Sequence, residues 1–290
     1  MGPQRPMRVR RIGSGIVGFG GSMGLLLLGG CSSADQEQIR RLAMPVEATD
    51  RAPLIYDLWV GSWIAAIAVG VVVWGLILYA SFRFRRRSDD EVPVQTRYNL
   101  PIEILYTVAP VVVVLVLLYE TIETQNQVLE RASEESPALH TVNVVGAKWA
   151  WTFNYMGEDA VNGQTVHTVG TPADLPTLML PVGEKVRIRL SSPDVIHSFW
   201  VPSFLFKLDV IPGRNNAFVF TPTREGTYAG KCAELCGTYH SRMLFNVDVV
   251  SVEEYEAHLQ DLQDQGDVGL AVGGSDARTQ KGSEDEGDAP

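Results

Sequence analysis

Hydrophobic residues lie in long uninterrupted runs over the first 120 positions and in short alternating runs after about position 137, and the two patterns predict two kinds of structure. Leu58 to Phe82 is a stretch of about 25 uncharged residues, long enough to cross a bilayer as a tilted helix. Ile104 to Tyr119 offers only about 16, or roughly 24 Å of helix against a hydrocarbon core of about 30 Å. Its flanks must therefore reach into the interface, and a helix is expected over about 100–120. A third apolar run, rich in Gly and Leu, follows Arg5, Arg8, Arg10 and Arg11 within residues 1–30, the layout of a signal peptide. Downstream, Lys185 to Leu190 alternates charged and apolar residues with period two, as a half-buried strand does. Ala217 to Phe220 and Leu244 to Val250 read likewise. Pro172, Pro181, Gly183, Pro212, Gly213 and Gly226 punctuate these runs, which suits one small all-β sandwich or barrel of about 110 residues.

Charge orients these elements. Arg83, Arg85, Arg86, Arg87 and Arg97 fall between the two spans and place that loop in the cytoplasm by the positive-inside rule. Both ends of the mature chain then face outward, with the β domain. Cys31 directly follows Leu-Gly-Gly and resembles the acylated cysteine of a bacterial lipoprotein cleavage box; an ordinary signal peptide cut nearby, or an uncleaved first helix, is the alternative. The predicted organisation is a signal segment over 1–30, an outer segment over 31–53, and two spans within 54–120. The β domain follows over 137–250, then a helix over 251–264 announced by the capping pattern Ser251-Val-Glu-Glu254, and an acidic tail over 265–290. The tail is poor in apolar residues and is expected to be disordered. Eleven acids against two bases fall from Ser251 onward, so nearly all of the formal net charge of −10 belongs to this end and the β domain itself is close to neutral.

The chemistry is concentrated between Cys232 and Met243, which read Cys-Ala-Glu-Leu-Cys-Gly-Thr-Tyr-His-Ser-Arg-Met. Two thiols, an imidazole and a thioether in one short loop favour copper, and a second histidine, His197, lies 35 residues upstream of the first thiol. A disulfide between Cys232 and Cys236 would leave the other donors without purpose. Zinc does not use methionine. A mononuclear blue-copper site would take Cys236, His240, Met243 and His197 but leave Cys232 idle. Two thiolates bridging two coppers would employ every group. No Cys-x-x-Cys-His, glycine-rich phosphate loop or basic nucleic-acid patch is present in the sequence.

On these residues the chain resembles subunit II of the haem–copper oxidases, of the cytochrome c oxidase type with a binuclear CuA centre. The family motif Cys-x-Glu-x-Cys-x3-His-x2-Met with an upstream His is intact at Cys232, Glu234, Cys236, His240, Met243 and His197. The resemblance implies a membrane α + β protein: a helical hairpin followed by an outward-facing, cupredoxin-like β-sandwich. It implies that both cysteines bridge the metals, that His197 and His240 each cap one, that Met243 is a weak ligand and that Glu234 contributes its backbone carbonyl. The Glu234 carboxylate would approach a magnesium site shared with subunit I, which also holds the haem.

Three further positions take roles from the resemblance. Glu103 with Thr107, at the cytoplasmic start of the second span, matches a glutamate at the mouth of a proton pathway. Gly146, Trp149 and Trp151 match a Gly-x-x-Trp-x-Trp segment whose first tryptophan is the surface point where an electron from cytochrome c arrives; Lys148 and Ala150 depart from the usual flanking residues. Period two would put Trp149, Trp151, Phe153 and Tyr155 on one face of a strand, where a core stripe is the plainer reading. Asp194 matches an acidic docking position. The expected partners are subunit I, other oxidase subunits and cytochrome c, for which the lack of an acidic excess in the domain suggests a membrane-bound or multihaem form. The alternatives are the CuA subunit of a nitric oxide reductase and a membrane-tethered copper chaperone.

Overall fold

The computed structural model describes residues 32–88, 90–92, 94–129 and 140–272. The signal segment, Cys31 and the tail from 273 onward lie outside these residues. A first unit, up to Pro45, contains helix α1 (Ser33–Arg40), whose N-terminus is closed by a Ser32/Asp35 capping box.

The second unit begins at Val46 and holds the hairpin and the β domain. Helix α2 spans Ala52–Arg83 and α3 spans Leu100–Val128, both longer and more apolar than a bilayer crossing needs. α3 outruns its apolar run by two turns of Glu, Thr, Gln and Asn, because a helix can continue once it has left the hydrocarbon. Its last carbonyls need donors, and the Arg51 guanidinium supplies one to the Gln127 carbonyl at 3.0 Å. That bond sets the end of α3 beside the start of α2. The same corner is tied to the β domain: Ala48 N–H donates to the Ser203 carbonyl at 3.0 Å, Asp50 N–H to Thr221 at 3.0 Å, and Thr221 N–H to the Asp50 carboxylate at 2.8 Å. The arginine-bearing loop joins the opposite ends of the two helices.

The β domain is a sandwich of two five-stranded sheets. Strands β1 (His140–Ala147), β2 (Ala150–Glu158), β3 (Gln164–Val169), β5 (Val186–Ser191) and β8 (Asn216–Phe220) form one sheet in the order β3-β2-β1-β5-β8. Strands β4 (Thr177–Pro181), β6 (His197–Val201), β7 (Phe206–Val210), β9 (Gly226–Cys232) and β10 (Leu244–Val250) form the other, in the order β4-β10-β9-β6-β7. Two pairings, β1 with β5 and β10 with β4, are parallel; the rest are antiparallel. Period two is obeyed in β5, where Val186, Ile188 and Leu190 turn into the core. Trp151, Phe153, Phe199 and Phe245 interlock there, the last two stacked with centroids 4.9 Å apart. Helix α4 (Val252–Gln265) starts from the Ser251/Glu254 capping box and lays Tyr255, Leu259 and Leu262 against the sandwich.

Two expectations are corrected. Trp149 lies in the turn between β1 and β2, not on the strand with Trp151, Phe153 and Tyr155. The chain beyond Gln265 does not leave the fold at once. After Gly266, left-handed at φ 87° as a helix end requires, it runs along the open edge of β3: His167 N–H donates to Asp267, and Gly269 N–H to Thr165. Asn154 exchanges two hydrogen bonds with Ala271. An edge strand offers unpaired backbone groups, and residues 267–271 take them up. This cover is why Asn154, on the outward face of β2, is buried.

His140 opens β1 and holds two acids at once, Nδ1 at 2.8 Å from Glu158 and Nε2 at 2.5 Å from Glu184. Both ring nitrogens donate only when the ring is charged. Burial alone would lower its pKa, but the two carboxylates outweigh that and raise it above the ordinary 6.5. The stabilisation is therefore complete below about 6.5 and is lost as pH rises through the folded-state value. The melting temperature of the full chain in detergent should fall as pH rises above neutrality, and His140→Gln should flatten that slope. A profile that is level or climbing in the unaltered chain would contradict the assignment.

Candidate metal centre

Strand pairing explains how residues distant in sequence meet. β9 ends at Cys232 and β10 begins at Leu244, and the two are antiparallel neighbours, so residues 233–243 form the loop at one end of that hairpin. β6 flanks β9 with Phe199 opposite Cys232, which carries His197, at the head of β6, over the same loop. The loop is fastened back to the sheet by Cys232 N–H to the Met243 carbonyl at 3.0 Å and by Ala233 N–H to Ser198 at 3.0 Å.

The soft donors converge there. The two cysteine sulfurs are 3.8 Å apart; Cys232 Sγ is 3.9 Å from His197 Nδ1 and 3.2 Å from the Glu234 carbonyl. Cys236 Sγ is 3.7 Å from His240 Nδ1 and 3.8 Å from Met243 Sδ. Ligand atoms of His197, Cys232 and Cys236 all lie within 4.8 Å of one another. Two sulfurs each about 2.3 Å from a tetrahedral metal stand roughly 3.8 Å apart, so these separations are those of donors sharing a metal. All six positions named from the motif are brought together. His197 and Met243 are fully buried, His240 is half-buried at the rim, and the Glu234 side chain points away into solvent.

The electrostatics ask for a cation. The S–H of Cys236, with His197 and nearby backbone N–H groups, pulls the Cys232 pKa down to about 3. The charge so formed and burial push the Cys236 thiol up. Without a metal the pair holds one negative charge; ionising both thiols needs positive charge between them.

Asp194, expected as a docking acid, is exposed, and its carboxylate is also engaged by groups of the centre. Its carboxylate accepts from His197 Nε2 at 2.9 Å, from Lys148 N–H at 2.7 Å and from Val195 N–H at 2.6 Å. Although burial opposes it, the His197 bond and these backbone donors hold its pKa at about 2. With Nε2 donating to Asp194, Nδ1 is the nitrogen that faces the sulfurs, a carboxylate–histidine pair of the kind that orients metal ligands. Asp194→Asn should weaken metal affinity by about 10- to 100-fold, measured by competition with a chelator. Unchanged affinity would reduce Asp194 to a turn residue.

Trp149, expected at the surface, is 3% exposed. Its indole N–H donates to the Cys236 carbonyl at 3.3 Å, and its ring meets Tyr239 edge-on at 5.0 Å. Trp151 makes the matching bond to the Met243 carbonyl at 3.3 Å, so two tryptophans pin the loop backbone at two ligand residues. Two glycines make room for them. A Cβ on Gly146 would stand 3.3 Å from the His197 ring, and one on Gly237, where φ is 126°, 3.1 Å from the Trp149 ring. The parts that Gly237 and Tyr239 play are not readable from spacing; the glycine within the ligand loop was the only signal.

Glu103 lies far from this centre, in the first turn of α3. Its carboxylate accepts the Asn99 N–H at 2.9 Å, and Thr107 Oγ1 donates to the Glu103 carbonyl at 2.7 Å.

Comparison with known proteins agrees with the geometry. The family profile "Cytochrome C oxidase subunit II, periplasmic domain" matches residues 140–250, and "Cytochrome C oxidase subunit II, transmembrane domain" matches 38–121. A "Probable cytochrome c oxidase subunit 2" of Streptomyces coelicolor is 47% identical, covering 94% of this chain and 92% of that one. The "Cytochrome c oxidase subunit 2" of Mycobacterium tuberculosis is 34% identical, covering 80% and 77%. Among solved structures, the periplasmic domain of subunit II of cytochrome oxidase from Bradyrhizobium japonicum is 27% identical, covering 44% of this chain and 96% of that one at a TM-score of 0.39. With both profiles matched in chain order and relatives this similar over most of their length, the chain belongs to the cytochrome c oxidase subunit II family.

Proposed function

We propose that this subunit is where electrons from cytochrome c reach a terminal oxidase, at a binuclear copper centre held by Cys232, Cys236, His197, His240, Met243 and the Glu234 carbonyl. The observation that carries this reading is the closure of two thiols, two imidazoles and a thioether into contacts of 3.7 to 3.9 Å around both sulfurs. Two coppers held by these residues would supply a one-electron couple. The chain's own residues give that couple a rigid, dry seat. Trp151 and Trp149 fix the loop backbone, Asp194 fixes the His197 ring, and Phe199, Phe245 and Met243 close the inner side against water.

Trp149 fits electron arrival as a bridge beneath a thin cover, since its hydrogen bond runs straight to a ligand residue. A donor would touch Lys148, Tyr239 and the exposed Leu235 around it. The exposed Glu234 carboxylate is available to a magnesium ion shared with subunit I. The arginine loop opposite the β domain supports a cytoplasmic loop, with the β domain and the chain ends outside. Glu103 as a proton-uptake group is testable because glutamine can still accept the Asn99 N–H: Glu103→Gln should slow turnover of the assembled oxidase several-fold, and unchanged turnover would leave Glu103 a helix cap.

The copper content and electron paramagnetic resonance of the full chain, loaded with copper in detergent, test the central claim. Two coppers per chain and one unpaired electron shared over both nuclei are expected. One copper with a localised signal would overturn the binuclear reading.

A further inference from the structure

The outer face of the first sheet carries a concavity that electron transfer does not use. Its volume is about 400 Å³ and its wall includes Arg187, Arg189, Asn143, Ser191 and Asn216, with Leu270 at one side. That volume is in the range of small-ligand sites. The two arginines follow from the pattern that builds the core. Because Val186, Ile188 and Leu190 turn inward, residues 187 and 189 project from the other face of β5, about 7 Å apart along the strand. Arg187 is 8% exposed, so its charge sits in a largely dehydrated wall. Arg189 is exposed and has no side-chain partner among the described residues. None of the described residues lining the concavity is an Asp or Glu. The polar wall is also held in place: Ser191 Oγ donates to Asn143 Oδ1 at 3.2 Å, and Asn216 Nδ2 donates to the Asp209 carbonyl at 2.7 Å.

Two guanidinium groups on one wall, amides beside them and no carboxylate among the described lining residues match the needs of oxyanions, which take donors of fixed geometry. We propose that this concavity is an anion-binding site for a ligand bearing two or more phosphate or carboxylate groups. That chemistry has two sources. One is a free multivalent anion in the outer compartment. The other is the chain's own C-terminal segment. Residues 267–271 run along β3 and bring Leu270 to the concavity, and the sequence beyond Val272 carries Glu284, Asp285, Glu286 and Asp288. The twelve residues from Val272 to Glu284 reach up to about 40 Å when extended.

Inorganic pyrophosphate, titrated calorimetrically at fixed low ionic strength, separates these cases. The titration is made into the full chain in detergent and into a chain ending at Val272, each with and without Arg189→Gln. Arg189 is exposed, so this variant should keep the parent melting temperature. Pyrophosphate should bind the shortened chain, and R189Q should weaken that binding at least about tenfold through loss of a charged hydrogen-bonding partner. If the full chain binds several-fold more weakly than the shortened one, the C-terminal segment occupies the site as a competitor. Equal binding by the two assigns the site to a free anion. Binding absent from both, or indifferent to R189Q, overturns the proposal.

Discussion

Replacing Cys236 by serine should, on the proposed binuclear reading, reduce the copper bound per chain from two to one at most and slow electron transfer from cytochrome c by more than about a hundredfold. Cys236 is the hub of the contact network: it lies 3.8 Å from the other sulfur, 3.7 Å from His240 and 3.8 Å from Met243. Serine nearly preserves the volume and the backbone hydrogen bond to Trp149. A hydroxyl is a hard donor that does not ionise near neutrality and cannot bridge two soft ions as a thiolate does. The fold should survive, because a sulfur-to-oxygen exchange leaves in place the interlocked rings of Trp151, Phe153, Phe199 and Phe245 that fill the core. Copper analysis of the purified variant and stopped-flow reduction by cytochrome c check the two halves separately. A variant that keeps two coppers would show that the cysteines do not both bridge.

Trp151→Ala should destabilise the β domain by about 3–5 kcal/mol, the usual cost of emptying so large a buried site. In a domain of this size that lowers the melting temperature by ten degrees or more. Trp151 is fully buried and meets His197, Phe199 and Phe245 with its ring. It also donates to the Met243 carbonyl, so the loss extends to the metal loop, and copper should leave to a chelator faster than from the parent. Trp151→Phe fills most of the space without the donor. It should recover most of the stability but little of the copper retention. Equal copper release from all three proteins would confine Trp151 to packing.

The sequence made some features legible because local chemistry decides them. Lys185 to Leu190 announced β5 by its alternation, Ser251 and Glu254 announced the start of α4, and Cys232, Cys236, His240 and Met243 could be named as candidate ligands because spacing and softness are local properties, whereas the Glu234 carbonyl came from the family resemblance. What escaped depends on contacts between distant segments. The burial of Asn154 arises from residues 267–271, more than a hundred positions away, which composition alone assigned to a disordered tail. Trp149 counted as part of an alternating stripe, but its hydrogen bond to Cys236 and the space left by Gly237 hold it in a turn. Asp194 is exposed as a docking acid would be, but nothing in its sequence vicinity shows that the His197 ring and the Lys148 amide converge on it. α3 ran past its apolar stretch because a helix can continue once it has left the hydrocarbon, and Arg51, just before α2, donates to its end.

The corner formed by residues 48–52 bears on which component of the proposed electron circuit would have to move. Backbone bonds from Ala48 and Asp50 into the sandwich, together with the Arg51 clamp on α3, leave no slack between the hairpin and the β domain. The outer domain stands on the bilayer as a fixed pier, not as a swinging arm. On the proposed function, its copper centre would keep a set height and orientation above the haem-bearing subunit, and the tunnelling distance inward would be built into the fold. All diffusive search in the proposed circuit would then fall to the donor, which would have to dock and depart while this subunit stays still.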